Sequence, residues 1–548
     1  MPVINFSYSD LCKLLEREVP IDTLRTRLPM IGADLNAADE GVDELSFEFF
    51  PDRPDLYSVE GIARALRSFL GDGTEHGEYH ADSSDVTIEV DSSVEDVRPF
   101  IWSAIVEELT IDDPLIRSMM DLQEKLHLTL GRNRRKVAIG IHDMSAVEPP
   151  FTYKAVLPDE LSFQPLQGAR EMTPREILSD HEKGRAYAFV LEGKKRYPVI
   201  VDKNGTVLSM PPIINGIATE VTERTKTVLV DCTGTDINAL KYAVNILVTA
   251  LADRGGKIRT VTINQGGESF TAPDLAPREV ELDVAFVNGW LGTSLSVNDM
   301  AHCLAKVGHS VTNQGERLKV GIPPFRADIL HSVDLAEDVA IGFGYERFGD
   351  TYPREVTFGV EDPLVAFADK TRPVMIGLGF FEVATLSLSN PQEQFTAMNL
   401  PSDSDALRIR NPVTEAHTLV RTSLIPSLMT ILRKNKHREL PQKIFEIGDV
   451  VHGTSNRKLL AGAVIHTKAG FTEGKSVILS ISSAMGFSPD ISAVDHPAFV
   501  GGRCAELRSG DSRIGLFGEV HLSTVDAFEL KYPVVAFEID LERLRDVL

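Results

Sequence analysis

Arg326 to Tyr345 reads RADILHSVDLAEDVAIGFGY and places four carboxylates, Asp328, Asp334, Glu337 and Asp338, within eleven residues. After Ser332 the apolar positions Val333, Ala336, Ala340 and Ile341 fall on one helical stripe, flanked by Leu335 and Val339. Ser332 is the expected N-cap, its hydroxyl accepting from a backbone N–H of the first turn. Asp334, Glu337 and Asp338 stand at i, i+3 and i+4 and share a face, while Asp328 lies on the loop before the helix. Clustered carboxylate oxygens suit a hard cation, Mg²⁺ before Zn²⁺. Acidic residues in a first helical turn also complement the helix dipole with no metal present. Spacing alone leaves both readings open.

Outward from this stretch the chain divides by its punctuation. Pro273 to Pro277 marks a boundary, and 276–351 reads as a compact winged-helix-like α+β module. A helix begins at Val297-Asn298-Asp299, and a short strand covers Leu318 to Gly321. Upstream, 1–80 reads as an N-terminal α/β module. Asp10 caps a short helix there, Leu45 to Phe50 forms a strand, and a helix runs from Val59 to Phe69. Gly71 to Ser84 reads as a linker. Between them, 85–272 is a larger α/β module with strands at Val86 to Val90, Trp102 to Val106, Val137 to Ile141, Tyr197 to Val201 and Thr206 to Met210. Asp113-Pro114 opens its long helix. Thr227 to Val230 is a strand leading into a loop, Asp231 to Asp236 (DCTGTD), whose junction with the next helix would aim free N–H groups outward. An ordinary helix cap by Thr235 or Asp236 is the plainer reading. His127 and His142 stand alone on regular elements and read as packed or exposed residues. Downstream, 355–548 has strand-like runs at Ala384 to Leu388, Lys443 to Glu446, Leu459 to Ile465, Ile514 to Gly518 and Val534 to Ile539. The whole is an α+β multidomain chain ending in a mostly antiparallel domain.

Composition bounds the function. The 548 residues carry 56 Lys and Arg against 80 Asp and Glu, a net charge of −24. That excludes broad electrostatic adhesion to nucleic acid or anionic membrane, so any polyanion contact must be local. The run Arg132-Asn133-Arg134-Arg135-Lys136 is the best local candidate. Four scattered cysteines, Cys12, Cys232, Cys303 and Cys504, predict a reduced, cytoplasmic protein. Neither a signal peptide nor a membrane span is expected.

Several segments in order resemble the β-subunit family of phenylalanine–tRNA ligases, in its archaeal and eukaryotic-type form. They are DRPDLYSVEGIARAL (Asp52 to Leu66), LQEKLHLTLGRNRRKVAIGIHD (Leu122 to Asp143), FTYKAV (Phe151 to Val156), YPVIVDKNGTVLSMPPIIN (Tyr197 to Asn215), DCTGTD, the acidic stretch itself, and NPVTEAHTLVRTSLIPSLM (Asn411 to Met429). The resemblance implies that 276–351 is a B-five type domain, with Asp328, Asp334, Glu337 and Asp338 holding Mg²⁺ jointly with an α subunit. It implies that 85–272 is an editing (B-three/B-four type) domain. An active site built for Phe rejects the extra hydroxyl of Tyr only about a hundredfold, so a second site hydrolyses misacylated Tyr–tRNA. Ser209, Asp231 and Thr233 are the candidate pocket residues. Arg132, Arg134, Arg135 and Lys136 are candidate tRNA contacts. Arg421 and the basic helix end Arg433 to Arg438 are candidates to face tRNA or the α subunit.

The last domain resembles a class II synthetase core without its catalytic residues. A working core carries Arg two residues before the Glu of its second signature, and Lys443-Ile444-Phe445-Glu446 has Ile444 there. Binding of the substrate ATP, and adenylation, are therefore expected on the α subunit of an α₂β₂ heterotetramer that binds tRNA(Phe). No membrane or DNA partner is expected. The alternatives are a free-standing aminoacyl-tRNA deacylase and a non-catalytic scaffold subunit.

Overall fold

The computed structural model describes residues 2–39, 43–71, 78–352 and 357–548. It forms two compact units, Met1–Thr351 and Tyr352–Leu548, and mixes helices with several separate sheets. The expected linker Gly71 to Ser84 falls in part (72–77) outside the described residues, as does the start of the last expected domain (355–356).

The first unit opens on three antiparallel strands, with Glu44–Phe49 between Val3–Ser7 and Ala33–Asp39. Ser7, not Asp10, caps the helix Tyr8–Leu15. Asp10 instead accepts from the Arg254 guanidinium, which also pairs with buried Glu60. Ser58 caps Val59–Leu70, whose apolar face is buried. Leu11, Phe47 and Leu66 share one continuous core with Ile105, Val230 and Leu247. The N-terminal segment and the larger module after it are therefore packed as one body.

That larger module holds two sheets. One has five strands, in the order Ala81–Asp82, Lys257–Arg259, Phe100–Glu107, Val228–Gly234, Val137–Asp143. The other has seven, with Val207–Met210 between Ile214–Asn215 and Tyr197–Val201. The helix Asp113–Leu128 starts at an Asp112 cap with Pro in its first turn, and Ile237–Asp253 starts at an Asp236 cap.

The segment 278–351 has three antiparallel strands, with Arg317–Ile322 between Arg278–Asp283 and Ser310–Asn313. Helices Val284–Leu291, Val297–Lys306 and Ser332–Phe343 bury Leu304, Leu335 and Val339 against them. Each such side chain contributes about 1.5–3 kcal/mol on leaving water. Ser332 is the first helical residue rather than the N-cap; His331 stands at the cap.

The second unit is built on a seven-stranded sheet, ordered Phe381–Glu382, Gln442–His452, Ser455–Ile465, Val534–Asp540, Ser512–Val520, Phe499–Ser509, Asp490–Ala493. Only its first pair is parallel. Of the strand expected over Ala384 to Leu388 only Leu388 is extended in a strand, Leu388–Ser389, and the strand paired into the main sheet is Phe381–Glu382 upstream of it. Phe499–Ser509 escapes a sequence reading because Gly501-Gly502 looks like a turn. The glycines instead form an irregularity inside the strand, with Gly502 at φ +74°.

Candidate functional site

A cavity of about 380 Å³ opens in the first unit. The strand Val228–Gly234 runs antiparallel to both its neighbours, Phe100–Glu107 and Val137–Asp143. Strand alternation puts Leu229, Asp231 and Thr233 on one face. Asp231 to Gly234 thus belong to a strand, not to the expected loop. Their backbone groups pair within the sheet, which removes the outward-facing N–H groups that the TGTD junction suggested.

Ser209 and Asp231 both line the cavity. Ser209 is 2% exposed, and among the described residues its Oγ has no hydrogen-bond partner. Asp231 Oδ2 lies 2.7 Å from His142 Nε2, and His142 Nδ1 lies 2.8 Å from Thr219 Oγ1. Thr233 is fully buried and is not part of the lining. Its Oγ1 accepts from Arg98 Nε at 3.0 Å, and its carbonyl accepts from Nη2 of the same guanidinium. Burial pushes Arg98 down to about 10. Thr233 therefore meets the cavity only through its neighbours, and His142, which sequence reading set aside, is bound to the one carboxylate of the three candidates.

The basic run is turned by three consecutive left-handed residues, Arg132, Asn133 and Arg134, at φ +49°, +55° and +64°. Each costs about 1–2 kcal/mol outside glycine. The turn drives Arg134 inward. Its Nη1 donates to the carbonyls of Pro212 and Ile213, its Nη2 pairs with Glu124, and its guanidinium lies 4.0 Å from the Tyr187 ring centre. Burial alone would raise the Glu124 carboxyl; the His127 ring 3.5 Å away and the Arg134 charge outweigh it and hold the group at about 2. Lys136 pairs with Asp236 at 2.9 Å. Arg132 and Arg135 remain exposed, Arg135 over the Phe189 ring. Of the four residues expected to meet tRNA, Arg134 is thus a buried structural cation.

The four carboxylates of the acidic stretch do not converge on a common point. Arg326, 2% exposed at its side chain, grips Asp328 through Nε and Nη2 at 2.9 and 2.7 Å. The same Nη2 reaches Asp338 at 2.8 Å, and His309 Nε2 donates to Asp338 at 2.6 Å. Burial acts to raise Asp338, but the Arg326 charge and the His309 hydrogen bond hold it below the usual carboxylate range. Asp334 accepts the N–H groups of Leu330 and His331 at 2.6 and 2.7 Å. Glu337, exposed, is raised by partial burial and then by Asp338, Asp52, Asp334 and Asp328. Among the described residues no three His, Cys, Asp or Glu side chains are placed to hold a metal. As arranged, these residues do not fit a Mg²⁺ cage: a guanidinium stands where the cation would need the oxygens of Asp328 and Asp338. Sequence spacing could not reveal that Arg326 folds back onto both.

In the second unit Ile444 packs in an apolar cluster. Glu446 is 3% exposed and paired with Arg421 at 2.9 Å; Arg421 also donates to Thr385 Oγ1 and the Asp449 carbonyl. Arg421 is therefore internal rather than presented to a partner. Arg433 pairs with Glu393 and Lys436 with Glu529.

Three families match successive parts of the chain. "B3/4 domain" covers residues 109–254, "tRNA synthetase B5 domain" covers 280–345, and "Phenylalanyl tRNA synthetase beta chain CLM domain" covers 350–541. With the fold and the cavity, these define a subunit of an aminoacyl-tRNA ligase. Relatives extend over the full length. The phenylalanine–tRNA ligase beta subunit of Archaeoglobus fulgidus is 44% identical over 100% of this chain and 99% of its own length. That of Methanothrix thermoacetophila is 42% identical over 99% and 100%. A solved N-terminal fragment of the Pyrococcus horikoshii subunit is 39% identical, with a TM-score of 0.61, and covers 63% of this chain and 100% of the fragment. The chain belongs to the phenylalanine–tRNA ligase beta subunit family. Members of this family act with an alpha subunit, bind tRNA, and serve a reaction that uses ATP and Mg²⁺. Among the described residues no helix is long and apolar enough to cross a membrane.

Proposed function

We propose that the cavity at Ser209 and Asp231 hydrolyses tyrosine from misacylated tRNA, while an α subunit makes the phenylalanyl adenylate within an α₂β₂ assembly. The observation that carries this reading is a buried, unpartnered Ser209 hydroxyl in one cavity with the Asp231 carboxylate. A site that hydrogen-bonds a substrate hydroxyl can distinguish Tyr from Phe far more strongly than an apolar pocket can exclude it. Asp231 accepts from the tyrosine phenol. Ser209 Oγ donates to the ester carbonyl or holds the water that attacks it. Water adds to the carbonyl carbon, the ester C–O bond breaks, and free tyrosine leaves the tRNA 3′-terminal ribose hydroxyl. No protein nucleophile is required, because a positioned water and a fixed donor suffice. Thr233 acts at one remove, by holding Arg98 behind the strand.

Packing of Ile444 in the second unit, and closure of Glu446 onto Arg421, support an inert core there that mates with α. Mg²⁺ would meet the carboxylates of Asp328, Asp334, Glu337 and Asp338 together only after Arg326 releases the oxygens of Asp328 and Asp338. Arg132 and Arg135 are the proposed phosphate contacts.

The test is deacylation of Tyr–tRNA(Phe) by the α–β complex. Asp231→Ala should abolish it while Phe charging persists. Normal deacylation by Asp231→Ala would sink the assignment, and a wild-type complex that charges Phe but releases no tyrosine from Tyr–tRNA(Phe) would favour the scaffold reading.

A further inference from the structure

Asp231 sits directly opposite Gly140 in the strand pair, and His142 lies two residues along, opposite Leu229. All three share a face of the sheet. The His142–Asp231 hydrogen bond passes straight over Gly140. A Cβ there would stand 2.2 Å from Asp231 Oδ2 and 2.6 Å from His142 Nε2. Any residue but glycine at 140 would break the pair apart.

His142 is fully buried and does not line the cavity. Its Nε2–H donates to the Asp231 carboxylate. Its Nδ1 then accepts from the Thr219 hydroxyl at 2.8 Å, and Thr219 does line the cavity. The carbonyls of Leu208 and Gly216 lie further from that hydroxyl, both at 3.3 Å. The chain Thr219 O–H to Nδ1, Nε2–H to Oδ2 has one direction. Among the described residues no hydrogen bond reaches the other carboxylate oxygen, Oδ1.

We infer that His142 is the positioning residue of the cavity: with Thr219 behind it and Gly140 leaving room, it fixes Asp231 so that Oδ1 alone meets an incoming phenolic hydroxyl. The inference rests on the proposed editing function. It assigns specificity for a 4-hydroxyl to a side chain that never touches substrate. A carboxylate bound through one oxygen cannot rotate to satisfy itself elsewhere. An apolar ring in the same place leaves that oxygen unpaired and unbound.

The test measures kcat and KM of the assembled α–β complex for deacylation of Tyr–tRNA(Phe) and Phe–tRNA(Phe). His142→Leu should lower the Tyr/Phe ratio of kcat/KM by about tenfold, chiefly through KM for the Tyr ester. His142→Gln, which keeps a donor within reach of Oδ2, should recover most of that ratio. Thr219→Val, which leaves the imidazole in place but unsupported, should lower it by a smaller factor. A merely structural role would depress both esters alike, so an unchanged ratio in His142→Leu overturns the inference. If His142→Leu fails to fold, Thr219→Val decides, an unchanged ratio again counting against it. Wild-type complex that releases no tyrosine at all would overturn the editing reading itself, and the inference with it.

Discussion

Replacing Arg326 by Met isolates the ion cluster of the segment 278–351. The change keeps most of the apolar stem and removes the guanidinium. Asp338, 4% exposed at its side chain, loses the Arg326 contact at 2.8 Å and, among the described residues, keeps the His309 donor alone. Asp328 loses its two-pronged partner. Removing one member of a buried charge pair costs about 3–5 kcal/mol, because the other charge stays desolvated. At about 1.4 kcal/mol per power of ten, amide protection of Arg317–Ile322 and Ser332–Phe343 should fall between about a hundredfold and several thousandfold. Hydrogen exchange on the whole chain reads this out segment by segment. The pH dependence has a definite sign. Asp338 in the folded chain lies below its ordinary value of 3.8. Its stabilisation is therefore complete above that value and is lost as pH falls below it. In Arg326→Met the buried carboxyl, stripped of the Arg326 charge, titrates upward instead. The gap between wild type and variant is thus widest near neutral pH and narrows on acidification. A loss of protection under about tenfold at neutral pH would refute this account of the cluster. Recovery of protection by added Mg²⁺ in the variant alone would show that the carboxylates take a cation once the guanidinium is gone.

Two further predictions separate exposed from buried roles. Arg132→Ala and Arg135→Ala should each weaken tRNA binding and reduce the salt slope by roughly 1, as loss of one phosphate contact does. Arg134→Ala should instead lower the melting temperature, and an Arg134→Ala protein of wild-type stability would contradict its burial against Glu124 and Tyr187. Gly342→Ala should destabilise the 278–351 segment by about 1–3 kcal/mol, since the new Cβ would lie 2.1 Å from the Cys303 carbonyl; an unshifted thermal transition would refute that close helix crossing.

Much of the architecture was legible along the chain. Helix starts at Asp113 and Val297 follow from caps and prolines, and the apolar run Val137 to Ile141 marks a strand. Ile444 in place of a basic residue already pointed to an inert core. The acidic stretch was equally plain as a helix, because periodicity and capping act within a few residues of one another. What the carboxylates do was not plain. Arg326 takes Asp338 across twelve residues, His309 reaches the same group from the connection just before the strand Ser310–Asn313, and Arg134 turns inward through a left-handed turn that no propensity predicts. The pairing of His142 with Asp231 depends on strand register over a separation of 89 residues. Register is fixed by how the whole sheet buries its apolar face. Sequence by itself therefore determined most of the elements, their order and the candidate carboxylates, and tertiary packing decided the remaining strands, which of those charges are spent on one another and which remain for a ligand.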